Sequence, residues 1–294
     1  MSAHITTHRA GFAPGVTAIT RLDDRTNETG IGLAVLRLRA GEQRHEKVAV
    51  ETAWLLMHGK LSGRLCKLTP SSDAISSRLS PHAGQPMERP MGQDFEMQRQ
   101  SLFDESASCI HVPAGTVVEL SAETDVELTV YTCANTQPFT TRLFRAADVP
   151  NEYRGRGQVH DRSLRFVRTI FDRRNSPDEV QLVLGEVVTL PGGWSSYPPH
   201  HHAQPEIYHY RFSAPQGYGH AEIGEQVVKV REYDTIRIPA GKDHAQCAAP
   251  GYGMYYSWVI RHLPGNPYTM PEFTPEHAWT MTAGASFWWP RELP

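Results

Sequence analysis

Pro198-Pro199-His200-His201-His202-Ala203-Gln204-Pro205-Glu206 is answered further along the chain by Pro239-Ala240-Gly241-Lys242-Asp243-His244. Together the two stretches supply His-x-His, a carboxylate four residues on, and a lone histidine after a Pro-x-Gly turn. That is the donor set of a mononuclear metal site in a small β-barrel, with His200, His202, Glu206 and His244 as ligands. Such a set suits Zn, Mn, Fe, Co or Ni alike, so it argues for one divalent ion per chain without naming it. Side chains alternate faces along an extended segment. His200, His202, Glu206, Tyr208 and Tyr210 share one parity, while His201, Ile207, His209 and Arg211 share the other. One face therefore collects the ligands of the first stretch, with Pro205 marking a bend between His202 and Glu206. A solvated run of histidines is the alternative, but tract composition predicts neither Glu206 nor the distant Pro-Ala-Gly-x-x-His partner.

Outward from these motifs the chain reads as strands. Ile31 to Leu38, Thr52 to Met57, Val117 to Leu120, Val126 to Tyr131, Gln181 to Leu190, Val227 to Val230 and Tyr255 to Ile260 are apolar or alternating runs separated by Gly, Pro, Asn and Asp. Rich in β-branched and aromatic residues, they predict an all-β chain with few short helices. The polar stretch 70–100 reads as an extended loop or insertion. An internal echo divides the rest: Val112-Pro113-Ala114-Gly115-Thr116-Val117-Val118 repeats Ile238-Pro239-Ala240-Gly241-Lys242-Asp243-His244, with Val118 standing where His244 stands. Two tandem small β-barrels are implied, residues 1–150 and 151–294, joined near Asp148 to Gly157. In the first barrel Gly41-Glu42-Gln43-Arg44-His45-Glu46 sits where His-x-His is needed and offers a single histidine, so that barrel is expected to hold no metal.

Composition narrows the partners. The 294 residues are 39% apolar and 21% charged, with a net charge of -3. That balance gives no electrostatic case for nucleic acid or an anionic membrane, which leaves small molecules and copies of the chain itself. Cys66, Cys109, Cys133 and Cys247 form no CxxC pair and read as reduced, half-buried thiols. The N-terminus lacks an apolar signal core and no run is long enough to span a bilayer, so the cytoplasm is the expected location.

The two half-motifs resemble the cupin signature, with Tyr233 where its second half has a leading glycine. Wider text is similar to the bacterial 5-deoxy-glucuronate isomerase family of myo-inositol catabolism. The matching segments are Leu102-Phe103-Asp104, Glu152-Tyr153-Arg154-Gly155-Arg156-Gly157, Gly185-Glu186-Val187, Gly192-Gly193-Trp194-Ser195-Ser196-Tyr197-Pro198-Pro199, Ala249-Pro250-Gly251-Tyr252-Gly253-Met254 and Pro275-Glu276-His277-Ala278-Trp279. The resemblance implies a bicupin (double-stranded β-helix) isomerase with its metal in the C-terminal barrel, on His200, His202, Glu206 and His244. It differs from the family at the pocket mouth, where His201 replaces a lysine and Ala203-Gln204-Pro205 is short.

Aldose–ketose isomerisation moves a proton between adjacent carbons while carbonyl and hydroxyl exchange places. A divalent ion chelated by both oxygens stabilises the enediolate charge without redox chemistry. Glu206, Tyr208 and Asp243 are the candidate proton carriers, although coordination makes Glu206 a poorer base. Arg165, Arg168, Tyr210 and Lys242 are the candidate contacts for a sugar-acid substrate, the arginines for its carboxylate. Trp194 and Trp279 are read as buried packing. The rival enzyme is an Fe(II)-dependent cupin dioxygenase, which uses the same ligands. The rival outside enzymes is a non-catalytic sugar-acid-binding bicupin.

Overall fold

The computed structural model describes residues 3–67 and 92–291. Helix among them is confined to three 3-10 turns, Ala146–Asp148, Val159–Asp161 and Ala278–Met281. The strands form a 9-stranded sheet in the N-terminal half, and 7-stranded and 5-stranded sheets that build the C-terminal half. All the named pairings are antiparallel, and the architecture is a bicupin. The N-terminal strand His4–Ile5 crosses over to pair with Thr235–Ile238 of the C-terminal half.

Three apolar cores explain why the strands read as they do. One fills the N-terminal barrel, with Leu36, Trp54, Leu56, Val118 and Leu128. A second fills the C-terminal barrel, with Val167, Tyr208, Tyr210, Ile236 and Tyr256. The third is the seam between the halves, where Leu33, Leu55, Phe171, Leu184, Ile207 and Val259 meet. Strands that separate a barrel interior from the seam are buried on both faces. All eight residues of Leu182–Thr189 and all seven of Glu206–Phe212 are buried, so these read as continuous runs rather than as alternating ones. Within Glu206–Phe212 the parity is kept: Tyr208 and Tyr210 enter the barrel core and Ile207 enters the seam.

The seam also holds buried charge. Arg99 pairs with Glu186 at 2.6 and 2.8 Å, Arg168 adds a 3.3 Å contact, and the Tyr255 hydroxyl donates to Glu186 at 2.7 Å. Nearby, Glu51 accepts from the amides of Gln181 and Leu182 at 2.9 and 3.0 Å while pairing with His111 at 2.9 Å, tying strand Glu51–Lys67 to the other half.

Two features of the sequence reading are corrected. Residues 70–91 lie outside the described residues, but Gly92–Arg99 is a strand and not a loop. Phe95, Met97 and Arg99 are buried in alternation with exposed Asp94, Glu96 and Gln98, a period of two hidden under an overall polar composition. Of the cysteines, Cys66, Cys109 and Cys133 are buried and Cys247 alone is half-buried; all four are free.

The internal echo has a structural counterpart. Gly115 and Gly241 adopt φ of 84° and 69°, which their turns require and a side chain would oppose. Each donates its amide at 2.8 Å to an equivalent carbonyl, Val48 in one half and His202 in the other. Register extends the match: Thr52 opposes Val112 as Glu206 opposes Ile238, and Glu46 opposes Val118 as His200 opposes His244. The positions equivalent to His200, His202, Glu206 and His244 therefore hold Glu46, Val48, Thr52 and Val118. His45 is one residue out of place; it is exposed and sits opposite Glu119. Tyr233, which replaces the signature glycine, has φ of 68°. That left-handed backbone is strained for a bulky residue. The ring lies between Phe12, 5.2 Å away, and the Arg211 guanidinium, 4.3 Å from its centroid.

Candidate metal centre

His202, Glu206 and His244 bring their donor atoms within 4.8 Å of one another, all three side chains buried. Glu206 Oε2 lies 3.2 Å from His202 Nε2 and 3.4 Å from His244 Nε2. Neighbouring ligands on a shell of radius about 2.1 Å stand about 3.0–3.4 Å apart, so this spacing fits a transition-metal ion. His200 stands beside them, its ring centroid 4.4 Å from that of His244.

The tautomers agree with that reading. Nδ1 of His200, His202 and His244 faces the carbonyl oxygens of Pro198, Gln204 and Lys242 at 3.2, 2.7 and 3.0 Å. A carbonyl only accepts, so each Nδ1 carries the proton and each Nε2 offers its lone pair, the orientation that supports a metal ligand. His244 Nε2 is buried with no hydrogen-bond partner. Such an atom is costly unless something else binds it. Burial, and then the neighbouring His244, pushes His200 down to about 3, which keeps its imidazole neutral. Burial works to raise the Glu206 carboxyl, but the imidazoles of His202 and His244 outweigh it and hold it down to about 2. Neutral imidazoles and an ionised carboxylate are the states that coordination needs.

The other candidates separate. Tyr208 is at the centre, its ring 5.8 Å from that of His244 and stacked 4.6 Å from Tyr256. Ser196 Oγ lies 3.1 Å from both tyrosine hydroxyls. Burial, and then the Glu206 charge, raises the Tyr208 pKa well above its ordinary value. Arg165 is half-buried on the interior face that it shares with Val167. Its Nη1 donates to the Ser163 carbonyl at 2.9 Å, and among the described residues no carboxylate pairs with it. Burial lowers its pKa, and it interacts electrostatically with Tyr256 and Tyr208.

Four candidates stand elsewhere. Arg168 is spent in the seam on Asn151, Glu186 and the carbonyls of Leu102 and Phe103. The Tyr210 hydroxyl donates to Gln246 at 2.6 Å and is fully buried, a packing position. Lys242 is exposed. Asp243 pairs with His201 at 2.8 Å, on the strand face opposite the ligands. Trp279 is 45% exposed and Trp194 half-buried, so neither is the core residue expected of it.

Sequence parity missed the segment that closes the site. Strand Glu272–Phe273 pairs with His200 and His201, and the Phe273 ring lies 6.1 Å from His200. Tyr268 meets His202 edge-on at 4.9 Å. Its backbone N–H donates at 2.9 Å to Nδ1 of His262, which burial and Arg173 push down to about 4. An unfolded chain protonates His262 at about 6.5, so the unfolded state holds the extra proton between these values. The stability contributed by neutral His262 is full above pH of about 6.5 and is lost as the pH falls towards about 4. Melting curves from pH 7.5 to 4.5 should therefore fall more steeply for the native chain than for His262→Gln, whose amide oxygen accepts the same bond without titrating. Superimposable profiles would contradict this.

A sequence profile described as the KduI/IolB family matches residues 90–280, a span that contains all four candidate ligands. The chain belongs to the KduI/IolB family. Among KduI/IolB relatives, the 5-deoxy-glucuronate isomerase of Geobacillus kaustophilus is 31% identical over 189 residues, 58% of this chain and 64% of that protein. That of Lacticaseibacillus casei is 28% identical over 200 residues, 62% and 70% of the two chains. The match thus spans just under two thirds of the Geobacillus enzyme's length. An IolB-like protein from Salmonella typhimurium LT2 superposes with a TM-score of 0.71 at 23% identity, covering 92% of this chain and 97% of that one. The formate complex of Lactobacillus farciminis oxalate decarboxylase gives 0.60 at 10% identity, over 89% and 85%. At these identities the structural likeness shows the bicupin fold.

Proposed function

We propose that the chain is a metal-dependent aldose–ketose isomerase that converts 5-deoxy-glucuronate to 5-dehydro-2-deoxy-gluconate in the cytoplasm. The observation that carries this reading is the buried His202–Glu206–His244 donor cluster, with its orphaned His244 Nε2, in a KduI/IolB chain. Relatives named 5-deoxy-glucuronate isomerase support the choice of substrate. His200, His202, Glu206 and His244 would hold one divalent ion. When bound, that ion supplies charge stabilisation at adjacent carbonyl and hydroxyl oxygens without redox chemistry. Residues 151–294 form the catalytic unit in this reading, and residues 1–150 a supporting one.

The remaining chemistry falls to the protein. Arg165 takes the substrate carboxylate, since among the described residues it is a guanidinium on the barrel's inner face with no carboxylate partner. Tyr208, its hydroxyl kept protonated by burial and by Glu206, donates a hydrogen bond to a substrate oxygen. Ser196 fixes that hydroxyl and the neighbouring one of Tyr256. Tyr268 and Phe273 shield the ligands from water.

Proton NMR of the full chain with 5-deoxy-glucuronate tests the assignment. The expected result is stoichiometric appearance of the ketose with no oxygen uptake; no conversion, or conversion that consumes oxygen, would contradict it. Arg165→Ala should raise KM by at least about tenfold while kcat changes by less than about threefold, because a charged hydrogen bond to the unreacting carboxylate is lost. Arg165→Lys should recover only part of that affinity, since an ammonium lacks the bidentate fork. An unchanged KM in Arg165→Ala would remove this residue from the site.

A further inference from the structure

Aromatic residues of two motifs, none of them used by the metal centre, meet on the outer face of the same barrel. Trp194 and Tyr197 belong to Gly-Gly-Trp-Ser-Ser-Tyr-Pro-Pro, and His277 and Trp279 to Pro-Glu-His-Ala-Trp. In strand Trp194–His201, Ser195 lies opposite Gln246 and His200 opposite His244, facing the interior, whereas Trp194 lies opposite Cys247 and faces outward. Between this outer face and the 3-10 turn Ala278–Met281 is a cavity of about 440 Å³, with Arg162, Trp194, Tyr197, Glu222, His277 and Trp279 in its lining. The Trp194 and Tyr197 rings are 5.5 Å apart. Trp279 keeps 45% of its surface exposed. Glu222 has no cation paired with it among the described residues, and burial raises its pKa while the nearby His277 works to lower it.

We propose that this groove binds the pyranose ring of a neutral sugar, at a site separate from the metal centre on the other face of the strand. The apolar face of the ring stacks on Trp279 and Trp194, and its hydroxyls bond Glu222, His277 and Arg162. Flat aromatic surface beside planar polar groups fits a ligand with one apolar face and a polar edge. The charge of the lining selects among such ligands: Arg162 opposes an organic cation, Glu222 opposes an anion, and a neutral polyol satisfies both. The cavity lies in the lower part of the range for small-molecule sites and has room for a monosaccharide.

The test uses the full chain stripped of metal, so that its outcome is independent of the isomerase reading, with methyl β-D-glucopyranoside as the probe. Saturation-transfer NMR and tryptophan fluorescence should give saturable binding, with the ring C–H protons receiving most of the transfer. Trp279→Ala, at an exposed position, should weaken binding at least about fivefold. Its melting temperature and its turnover of 5-deoxy-glucuronate when metal-loaded should stay unchanged. Absence of saturation up to about 100 mM, a Kd unaltered by Trp279→Ala, or tighter binding of tetramethylammonium or acetate in the same groove would each overturn the proposal.

Discussion

Changing His244 to alanine is expected to lower kcat on 5-deoxy-glucuronate by at least about 100-fold and to release most of the bound metal, with little change in melting temperature. The size follows from removing one of a few preorganised electrostatic contacts at the place where charge develops. The fold should survive because the strand His244–Ala248 is held by its pairing with strands Trp194–His201 and Tyr218–Ile223 and by barrel neighbours such as Ala248. The substitution also removes a buried nitrogen that no hydrogen bond satisfies, which offsets part of the lost packing. Metal content and kcat should fall together. A folded His244→Ala protein that keeps its metal and near-normal turnover would mean that this histidine is packing, not ligand.

Glu186→Ala should be the most damaging single change away from the candidate metal centre. It would leave Arg99 and Arg168, 0% and 1% exposed, facing each other across the seam with no carboxylate between them. Burial alone would raise the Glu186 carboxyl; Arg99 and then Arg168 reverse that and hold its pKa below the ordinary value. Removing one partner of a buried pair costs about 3–5 kcal/mol, because the charge left behind stays desolvated. Urea denaturation should show a loss of at least about 3 kcal/mol, with a smaller loss for Glu186→Gln, which keeps an acceptor oxygen. A loss below about 1 kcal/mol for Glu186→Ala would mean that water or a local shift reaches the cluster.

Much of this architecture is written locally. Strand Ile31–Leu38 and the inward parity of Glu206, Tyr208 and Tyr210 follow from alternation and turn residues, which act over a few positions. The two half-motifs announce the candidate ligands because metal coordination would fix both residue type and spacing. What stayed hidden depends on partners distant in sequence. Arg168 and Arg165 are three residues apart and chemically alike, yet one faces the seam and the other the barrel interior. Alternation places them on opposite faces, but which face borders the site is decided by the packing of the halves. Asp243 looked catalytic beside His244, and the same alternation turns it outward to His201. Tyr268 and Phe273 come from a segment rich in Pro and Gly, where no periodicity marks which rings fold back over the ligands. In the first barrel, His45 was one residue from the ligand position, a shift that only strand register reveals.

The most direct test of the central claim joins metal loading to turnover. Chelated protein, reloaded in steps with Zn, Mn, Fe, Co or Ni and assayed on 5-deoxy-glucuronate after each addition, should gain activity in proportion to bound metal. Activity should reach its plateau at one ion per chain, because Glu46, Val48, Thr52 and Val118 occupy the equivalent positions of the first barrel. Full turnover by protein holding far less than one ion per chain would contradict the account.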